Sequence, residues 1–325
     1  MQLYRRHFLR FAAAAIVTPL WPRLAAHQSY PSWPVRLVVG FPTGGPVDIA
    51  ARIIAPWLAE RLGQPFVVDN QPGESGNGAT RSVVRAAPDG YTLLVCGPVN
   101  TINTNLFQGL DYNFTRDITP VASLWRVPLV IEVHPSVAAK TLPEFVAYAK
   151  ANPGKLKIGF AGKGTPQHVA IELFKMKTGA DFTMVPYLGS TPALADLLVG
   201  KIDAMFDPMP SSISHIRSEK LIPLAVTTPS RSEALPDVPA ASELVPGYEA
   251  ASWFGIGAPK RTAADIIEKL NIEVNAGLKS PRIKARLAEL GASAIPGSQA
   301  QFGSFIVQET EKYAGVIRTA KIKAE

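Results

Sequence analysis

Three turns of this sequence share a pattern that could bind an anion. Residues 42–48 (PTGGPVD), 161–168 (AGKGTPQH) and 187–198 (YLGSTPALADLL) each place glycines and then a proline ahead of an amphipathic helical pattern. The first N–H groups of a helix have no intrahelical acceptor and carry roughly half a positive charge. Converging helix starts of this kind can therefore hold an anion without an arginine. The alternative explanation is that the turns only cap their helices.

The pattern also predicts where each helix begins. Proline is favoured at the first helical position, and a small or hydroxyl-bearing residue is favoured as the cap before it. We therefore expect Gly45, Thr165 and Thr191 as caps, each followed by a proline as the first helical residue. The neighbouring glycines leave backbone N–H groups unobstructed by side chains.

The turns favour a carboxylate over a phosphate as the anion. Neither G-x-x-x-x-G-K-[ST] nor G-x-G-x-x-G is present, because GFAGKGT misses the spacing and GKGTPQ ends in Gln167. Asp48 beside the first turn would repel a multiply charged phosphate. A carboxylate carries one charge and two acceptor oxygens, which backbone amides and a hydroxyl such as Thr43 or Thr165 can satisfy.

Other chemistries find little support in the residues. His134 and His215 have no histidine partner one helical turn away, so we expect no metal site and no cofactor. A hydrolase would need an activated nucleophile, but GESGNG misses G-x-S-x-G by one position and no Ser/His/Asp grouping is indicated. We therefore expect a protein that is not an enzyme. Cys96, the single cysteine, lies in an apolar run and is expected to be a buried, inert thiol.

The elements that carry the turns alternate between short apolar strands and amphipathic helices. Such alternation predicts an α/β fold with mostly parallel sheets flanked by helices, and the strand-to-helix turns then gather at one sheet edge. A chain of 325 residues is expected to form two lobes. Residues 128–134 and 222–228 are interpreted as strands crossing between the lobes, and the proline-rich residues 231–255 as a long surface segment.

The N-terminus has the pattern of an export signal. Arginines precede an apolar stretch too short to span a bilayer, and residues 5–10 (RRHFLR) resemble a twin-arginine signature. We interpret residues 1–26 as a signal peptide, so the mature protein is expected in the periplasm. The chain carries +7, and loss of the four arginines of that segment leaves about +3, too little to indicate a nucleic-acid partner.

Several longer stretches together resemble one protein family. They span the chain from Tyr30 to the C-terminal helix and read YPSWPVRLVVGFPTGGPVDIAAR, RAAPDGYTLLV, GKGTPQHVAIELFK, VPYLGSTPALADLLVGKIDAMFD, ALPDVPAASELVPGYEAASWFGIGAP and LAELGA. As a set they resemble the periplasmic solute-binding proteins of tripartite tricarboxylate transporters, the Bug-type receptors. The resemblance implies a two-lobed periplasmic-binding-protein fold, type II-like, that closes over a small organic carboxylate and delivers it to membrane subunits of a transporter.

The resemblance also implies lobes and ligand-binding residues. Lobe 1 would comprise residues 27–130 and 229–325, and lobe 2 residues 131–228. Carried over from the family motifs, the ligand-binding residues would be Phe41, Thr43, Gly44, Gly45, Asp48, Gly162, Gly164, Thr165, His168, Tyr187, Gly189 and Asp207. Trp253 and Phe254 would lie near the cleft wall, although both could simply belong to the core.

Two departures and two alternatives accompany the resemblance. Leu188 stands where the family commonly has a basic residue, and Lys163 is an unusual occupant of its loop that could supply a charge instead. A sensor acting on a membrane kinase would have the same fold and pocket as a transport receptor, and an exported enzyme is the less favoured alternative. We expect a monomer.

Overall fold

The computed structural model describes residues 30–323, and the predicted signal peptide, residues 1–26, lies outside them. Contacts divide the chain at Tyr30, and everything described below belongs to the unit that starts at Pro31. Its strands are β1 Val35–Val39, β2 Phe66–Asn70, β3 Thr92–Cys96, β4 Ile118–Val133, β5 Lys157–Phe160, β6 Thr183–Pro186, β7 Ala204–Pro208, β8 Ile222–Val226, β9 Ala251–Pro259 and β10 Ser293–Ala294. Its α-helices are α1 Pro46–Leu62, α2 Asn77–Val84, α3 Pro98–Leu106, α4 Phe114–Asp117, α5 Leu142–Ala151, α6 Pro166–Thr178, α7 Ser190–Leu198, α8 Met209–Arg217, α9 Ala264–Lys279, α10 Pro281–Glu289 and α11 Gln299–Thr319.

The strands form two sheets that share β4. The strand order is β2-β1-β3-β9-β4-β7-β5-β6, with β8 and β10 also paired to β4. The outer strands pair in parallel, β1 with β2 and β3, and β5 with β6 and β7. The pairs made by β4 and β9 are antiparallel. The predicted α/β class is therefore confirmed, but the sheets are mixed rather than mostly parallel, because both are completed by antiparallel crossing strands.

Strand β4 is longer than the sequence suggested. It runs for 16 residues, whereas only 128–134 was expected to be a strand. Its first part pairs with β9 as far as Pro128, and its last part, from Leu129, pairs with β7 and β8. One continuous strand thus passes from the first sheet to the second, and the expected lobe boundary at 130/131 falls inside it.

The expectation of a surface segment at 231–255 is wrong for its last residues. Strand β9 begins at Ala251 and lies at the centre of the first sheet, with Trp253 and Phe254 almost fully buried. Glycines interrupt the apolar pattern of β9, so the strand was not predicted from the sequence. Close packing requires these glycines. A side-chain carbon at Gly255 would lie 2.1 Å from the Phe302 ring of α11, and one at Gly257 would lie 2.5 Å from Ile118.

The described residues contain no helix long and apolar enough to cross a membrane. Cys96 is buried at the end of β3, so the expectation of a buried thiol is confirmed. Burial raises the pKa of this thiol to about 12, which disfavours the reactive thiolate. One hydrophobic cluster forms around Phe174, Phe206 and Tyr248, and another around Trp253 and Phe302.

Candidate functional site

Four helices begin around one small cavity between the two sheets. The cavity is lined by Val47 of α1, Val99 of α3, Gln167 of α6 and Ser190 of α7. Helices α1, α3 and α6 each have a proline as their first residue, so the next residue carries the first N–H group of the helix. In all three helices that next residue lines the cavity.

These first N–H groups are available to a ligand. Among residues 30–323, nothing accepts a hydrogen bond from the backbone N–H of Val47, Val99, Gln167 or Ser190. Each helix contributes about half a positive charge at its N-terminus, so four of them contribute roughly two charges. None of the described residues that line the cavity has a charged side chain. The arrangement is suited to an anion whose oxygens accept hydrogen bonds from the main chain.

One of the four helix starts differs from the prediction, and another was missed. Helix α7 has Gly189 as its cap and begins at Ser190, not at Pro192 after a Thr191 cap. Thr191 does not cap because its hydroxyl donates to the carbonyl of Thr43 across the cleft, at 2.9 Å. Helix α3 was not anticipated, although Gly97 and Pro98 carry the same local signal as the turns that were recognised.

The cavity is narrow, and a wider one adjoins it. The volume that the centre of a water molecule can occupy in the inner cavity is about 30 Å³. This is roughly the space of two waters or of one carboxylate group. Its remaining walls come from Phe41, Pro46, Gly97, Pro98, Ala161, Thr165, Pro166, Pro208, Ser252 and Phe254. The outer cavity has about 510 Å³ by the same measure and shares Ala161 with the inner one.

Most side-chain donors of the inner cavity are already engaged. The hydroxyl of Thr165 donates to the carbonyl of Gly162 at 2.6 Å, and the hydroxyl of Ser190 donates to the Asp207 carboxylate. The side-chain amide of Gln167 donates to Ser190 at 3.0 Å. Ser252 differs, because its hydroxyl has no partner in the described part of the chain although the residue is buried against the cavity. Ser252 is therefore the side-chain donor best placed for a ligand.

Two buried carboxyl groups, those of Asp207 and Glu132, lie on the far side of Ser190 from the inner cavity. Asp207 accepts hydrogen bonds from Gln167, Ser190, Ser211 and Ser212. Glu132 Oε1 shares the Ser212 hydroxyl with Asp207, at 2.6 Å, and its other oxygen has no partner among the described residues. Burial raises the pKa of both groups, and the neighbouring Asp207 charge raises the pKa of Glu132 further, well above its ordinary value. Four polar side chains surround Asp207 and one contacts Glu132, so the arrangement favours the negative charge on Asp207 and the neutral form of Glu132.

The first predicted turn is held together by its own side chains. Asp48 is buried and accepts from the Gly44 N–H at 2.9 Å, from Arg52 at 2.8 Å and from Asn70 at 3.0 Å. Burial alone would raise the pKa of Asp48, but these hydrogen bonds outweigh it and lower that pKa below its usual range. Of the residues predicted here, Phe41 lines the inner cavity, while Thr43, Gly44, Gly45 and Asp48 do not line it and form the turn beside it.

The second predicted turn divides between the two cavities. Thr165 lines the inner cavity and Gly162 the outer one. His168 lines neither of them. Its Nδ1 accepts from the Gly164 N–H at 3.2 Å, and its ring stacks on Phe160. Burial lowers the pKa of His168 to about 4, with Lys163 and Lys175 adding to the effect, so this imidazole is neutral at pH 7.

The third predicted turn lines the outer cavity. Tyr187 and Leu188 lie on its wall with Lys163 and Glu74. The Tyr187 hydroxyl donates to Asp196 at 3.0 Å. Gly189 lies against the first turn, where an added side-chain carbon would come 2.6 Å from Pro42. Asp207 lines neither cavity but accepts hydrogen bonds from Gln167 and Ser190, which line the inner one. Phe254 lines the inner cavity, whereas Trp253 belongs to the core and donates to Glu309.

The two sides of the cleft also touch directly. A side-chain carbon at Gly164 would lie 2.0 Å from Asn103 Oδ1 of α3, and one at Gly162 would lie 3.2 Å from Ser75 Oγ. Both glycines have positive φ angles. The loop 161–165 thus requires glycine at these positions both for its backbone conformation and for contact with the facing elements. In the described residues no cluster of His, Cys, Asp or Glu could hold a metal ion.

Comparison with known proteins identifies the family of this chain. Residues 50–322 match the family model described as tripartite tricarboxylate transporter family receptor. The chain is 36% identical over 318 residues to Protein BugT of Bordetella pertussis, covering 96% of each chain. It resembles the solved structure of R. palustris Rpa4515 with adipate, at 38% identity and a TM-score of 0.88, covering 90% of this chain and 99% of that one.

A further solved structure, MatC from Rhodopseudomonas palustris with bound malate, is 32% identical with a TM-score of 0.85, covering 89% of this chain and all of that one. The structure of the periplasmic binding protein BugD is also similar, at 30% identity and a TM-score of 0.87, covering 90% of this chain and 99% of that one. The two-lobed periplasmic-binding-protein fold expected from the sequence is confirmed. The chain belongs to the tripartite tricarboxylate transporter receptor family.

Proposed function

We propose that this protein is a periplasmic receptor that binds a small organic carboxylate between its two lobes and delivers it to the membrane subunits of a tripartite transporter. The single observation that carries the proposal is the convergence of four helix N-termini, with unpaired N–H groups, on one cavity without charged side chains. Family membership and the acids bound by two similar structures, adipate and malate, support the same ligand class.

The charges around the cavity favour an anion with a single charge at this point. Four helix starts contribute roughly two positive charges, and Asp207 behind the wall contributes one negative charge. The net field attracts one carboxylate. The inner cavity has the size of that group, so the body of the ligand would extend into the outer cavity, where Phe107, Leu110 and Leu188 provide apolar surface.

We infer that one lobe comprises residues 27–130 and 229–325 and the other residues 131–228. Ligand binding closes these two lobes, and the transporter recognises the closed form. The contacts of Thr191 with Thr43 and of Gly164 with Asn103 support this, because they join elements of different sheets and would break when the cleft opens. We further propose export by the twin-arginine signal, removal of residues 1–26, and a monomer that carries out no catalysis.

The test is a thermal-shift screen of the mature protein against mono-, di- and tricarboxylates, amino acids, aromatic acids and phosphate esters. A ligand at 100 times its dissociation constant adds about 2.7 kcal/mol of stability, which is a readily measured shift. Stabilisation by carboxylates alone is expected. Stabilisation by phosphate esters and by no carboxylate would contradict the proposal, and turnover of a stabilising acid would indicate an enzyme.

A further inference from the structure

Gln167 and Ser190 form the polar wall of the inner cavity, and their side-chain hydrogen-bond donors are already engaged. Gln167 Nε2 directs its hydrogens at Ser190 Oγ, 3.0 Å away, and at Asp207 Oδ1, 3.3 Å away. The one hydroxyl hydrogen of Ser190 also goes to Asp207. Gln167 Oε1 is the polar atom of this wall that a ligand can use. It accepts no hydrogen bond from the described residues, and it is not one of the unpaired polar atoms that are fully buried.

Asp207 determines which end of the Gln167 amide faces the cavity. An ionised carboxylate only accepts hydrogen bonds and has about four acceptor positions, and Asp207 is fully buried with four donors around it. An amide next to such a carboxylate must present its NH₂ group to it. Gln167 Oε1 is therefore directed away from Asp207, and the orientation follows from chemistry rather than from the fit of the side chain.

Glu132 keeps the charge on Asp207. Its carboxyl group is fully buried, has a single hydrogen bond to Ser212, and has no cation near it in the described residues. Two buried carboxyl groups linked through one serine hydroxyl cannot both be ionised without a cation. Asp207, with four polar side chains around it, is better placed to hold the charge, which leaves the proton on Glu132.

We propose, building on the receptor function above, that the ligand carries a hydrogen-bond donor, a hydroxyl or an amino group, on the carbon next to its carboxylate, and that Gln167 Oε1 accepts from that donor. Gln167 would therefore recognise two ligand groups. Its side-chain Oε1 accepts from the ligand donor, and its backbone N–H is one of the four unpaired N–H groups at the cavity that would donate to the carboxylate. The inner cavity is small, so the two ligand groups it holds must be close together on the ligand. An acid without the hydroxyl or amino group would leave Gln167 Oε1 buried and unpaired in the complex. Such an acid should therefore bind much more weakly than the substituted acid.

The test is calorimetric titration with matched acids of three, four and six carbons. Each skeleton is supplied as the unsubstituted acid, the 2-hydroxy acid and the 2-amino acid. On the skeleton that binds best, we expect a substituted acid to bind at least about 10-fold tighter than the unsubstituted one. Equal or tighter binding of the unsubstituted acid overturns the inference, and this comparison needs no variant.

Two substitutions locate the effect. In Gln167→Met the preference should fall to within about twofold, and affinity for the unsubstituted acid should change less than about threefold. Gln299→Met, at an exposed position of α11, is the matched control and should keep the full preference. A full preference in folded Gln167→Met would show that another residue recognises the donor. If no carboxylate of any skeleton binds the folded protein, the receptor function itself is overturned, whereas carboxylate binding without a preference overturns only the donor inference.

Discussion

Replacing Gly164 with alanine should weaken ligand binding without a matching loss of stability. Gly164 has a φ angle of 75°, and an added side-chain carbon would lie 2.0 Å from Asn103 Oδ1. The clash arises where the loop 161–165 meets α3, and the proposed closure predicts that these elements separate when the cleft opens. To make room, Asn103 must give up its hydrogen bonds to the Ser75 carbonyl and to Asn77, at 3.1 and 2.9 Å.

The size of the effect follows from those bonds. Two hydrogen bonds contribute about 1–3 kcal/mol together, which corresponds to a loss of affinity of roughly 5- to 150-fold. The positive φ angle adds about 1–2 kcal/mol of strain, but that strain is present whether the lobes are open or closed. It should lower the free energy of unfolding and leave the affinity unchanged.

Gly63→Ala is the matched control. Gly63 has a φ angle of 72° and no atom within 4 Å of the added carbon. Urea unfolding should show similar destabilisation of both variants, while calorimetry with an acid that stabilises the wild type should show weaker binding only for Gly164→Ala. Adding Asn103→Ala to Gly164→Ala should restore much of the lost affinity. Equal affinities of the two glycine variants would refute the reasoning that these elements meet when ligand is bound.

Three further predictions concern single side chains. Ser252→Ala removes the free hydroxyl of the inner cavity, so carboxylate affinity should fall by roughly 10- to 100-fold in calorimetry with the unfolding midpoint little changed; unchanged affinity would place the carboxylate elsewhere. Thr191→Val removes the hydrogen bond to the Thr43 carbonyl, so affinity should fall by about 2- to 10-fold, and a loss of stability without loss of affinity would contradict a role in closure. Burial, and then the nearby Asp207, raise the pKa of Glu132 in the folded protein well above its ordinary value of 4.5. The contribution of Glu132 to stability is therefore fully present only below that pH and declines as pH rises, by up to about 1.4 kcal/mol per unit. Urea unfolding should therefore show Glu132→Gln gaining on the wild type between pH 5 and 8, whereas a constant difference would mean that Glu132 is ionised in the folded state.

The sequence could predict those helix starts that carry a local signal. Gly45 with Pro46 and Thr165 with Pro166 were sufficient for α1 and α6. The same signal precedes α3, but the helix itself has no apolar period because its buried face includes Asn100, Thr101 and Asn103. Asn100 and Asn103 are accommodated there because they donate hydrogen bonds to Thr80 and Asn77 of α2, which no local pattern reveals.

The roles of individual site residues depended on contacts distant in sequence. Asp48 resembles a ligand-binding acid in the motif, yet its hydrogen bond to Asn70 of β2 makes it part of the turn. Asp207 was recognised as a site residue, but its action through Gln167 and Ser190 follows from the pairing of β7 with β5 and the position of α7. Ser252 was missed because the glycine-containing strand β9 was not recognised.

The most direct test of the central claim is a crystal structure of the mature protein with an acid that stabilises it. We predict one ligand carboxylate in the inner cavity, with its oxygens within about 3.2 Å of backbone N–H groups among Val47, Val99, Gln167 and Ser190. A carboxylate bound outside this cavity, or held there by side-chain cations with those N–H groups unoccupied, would contradict the account.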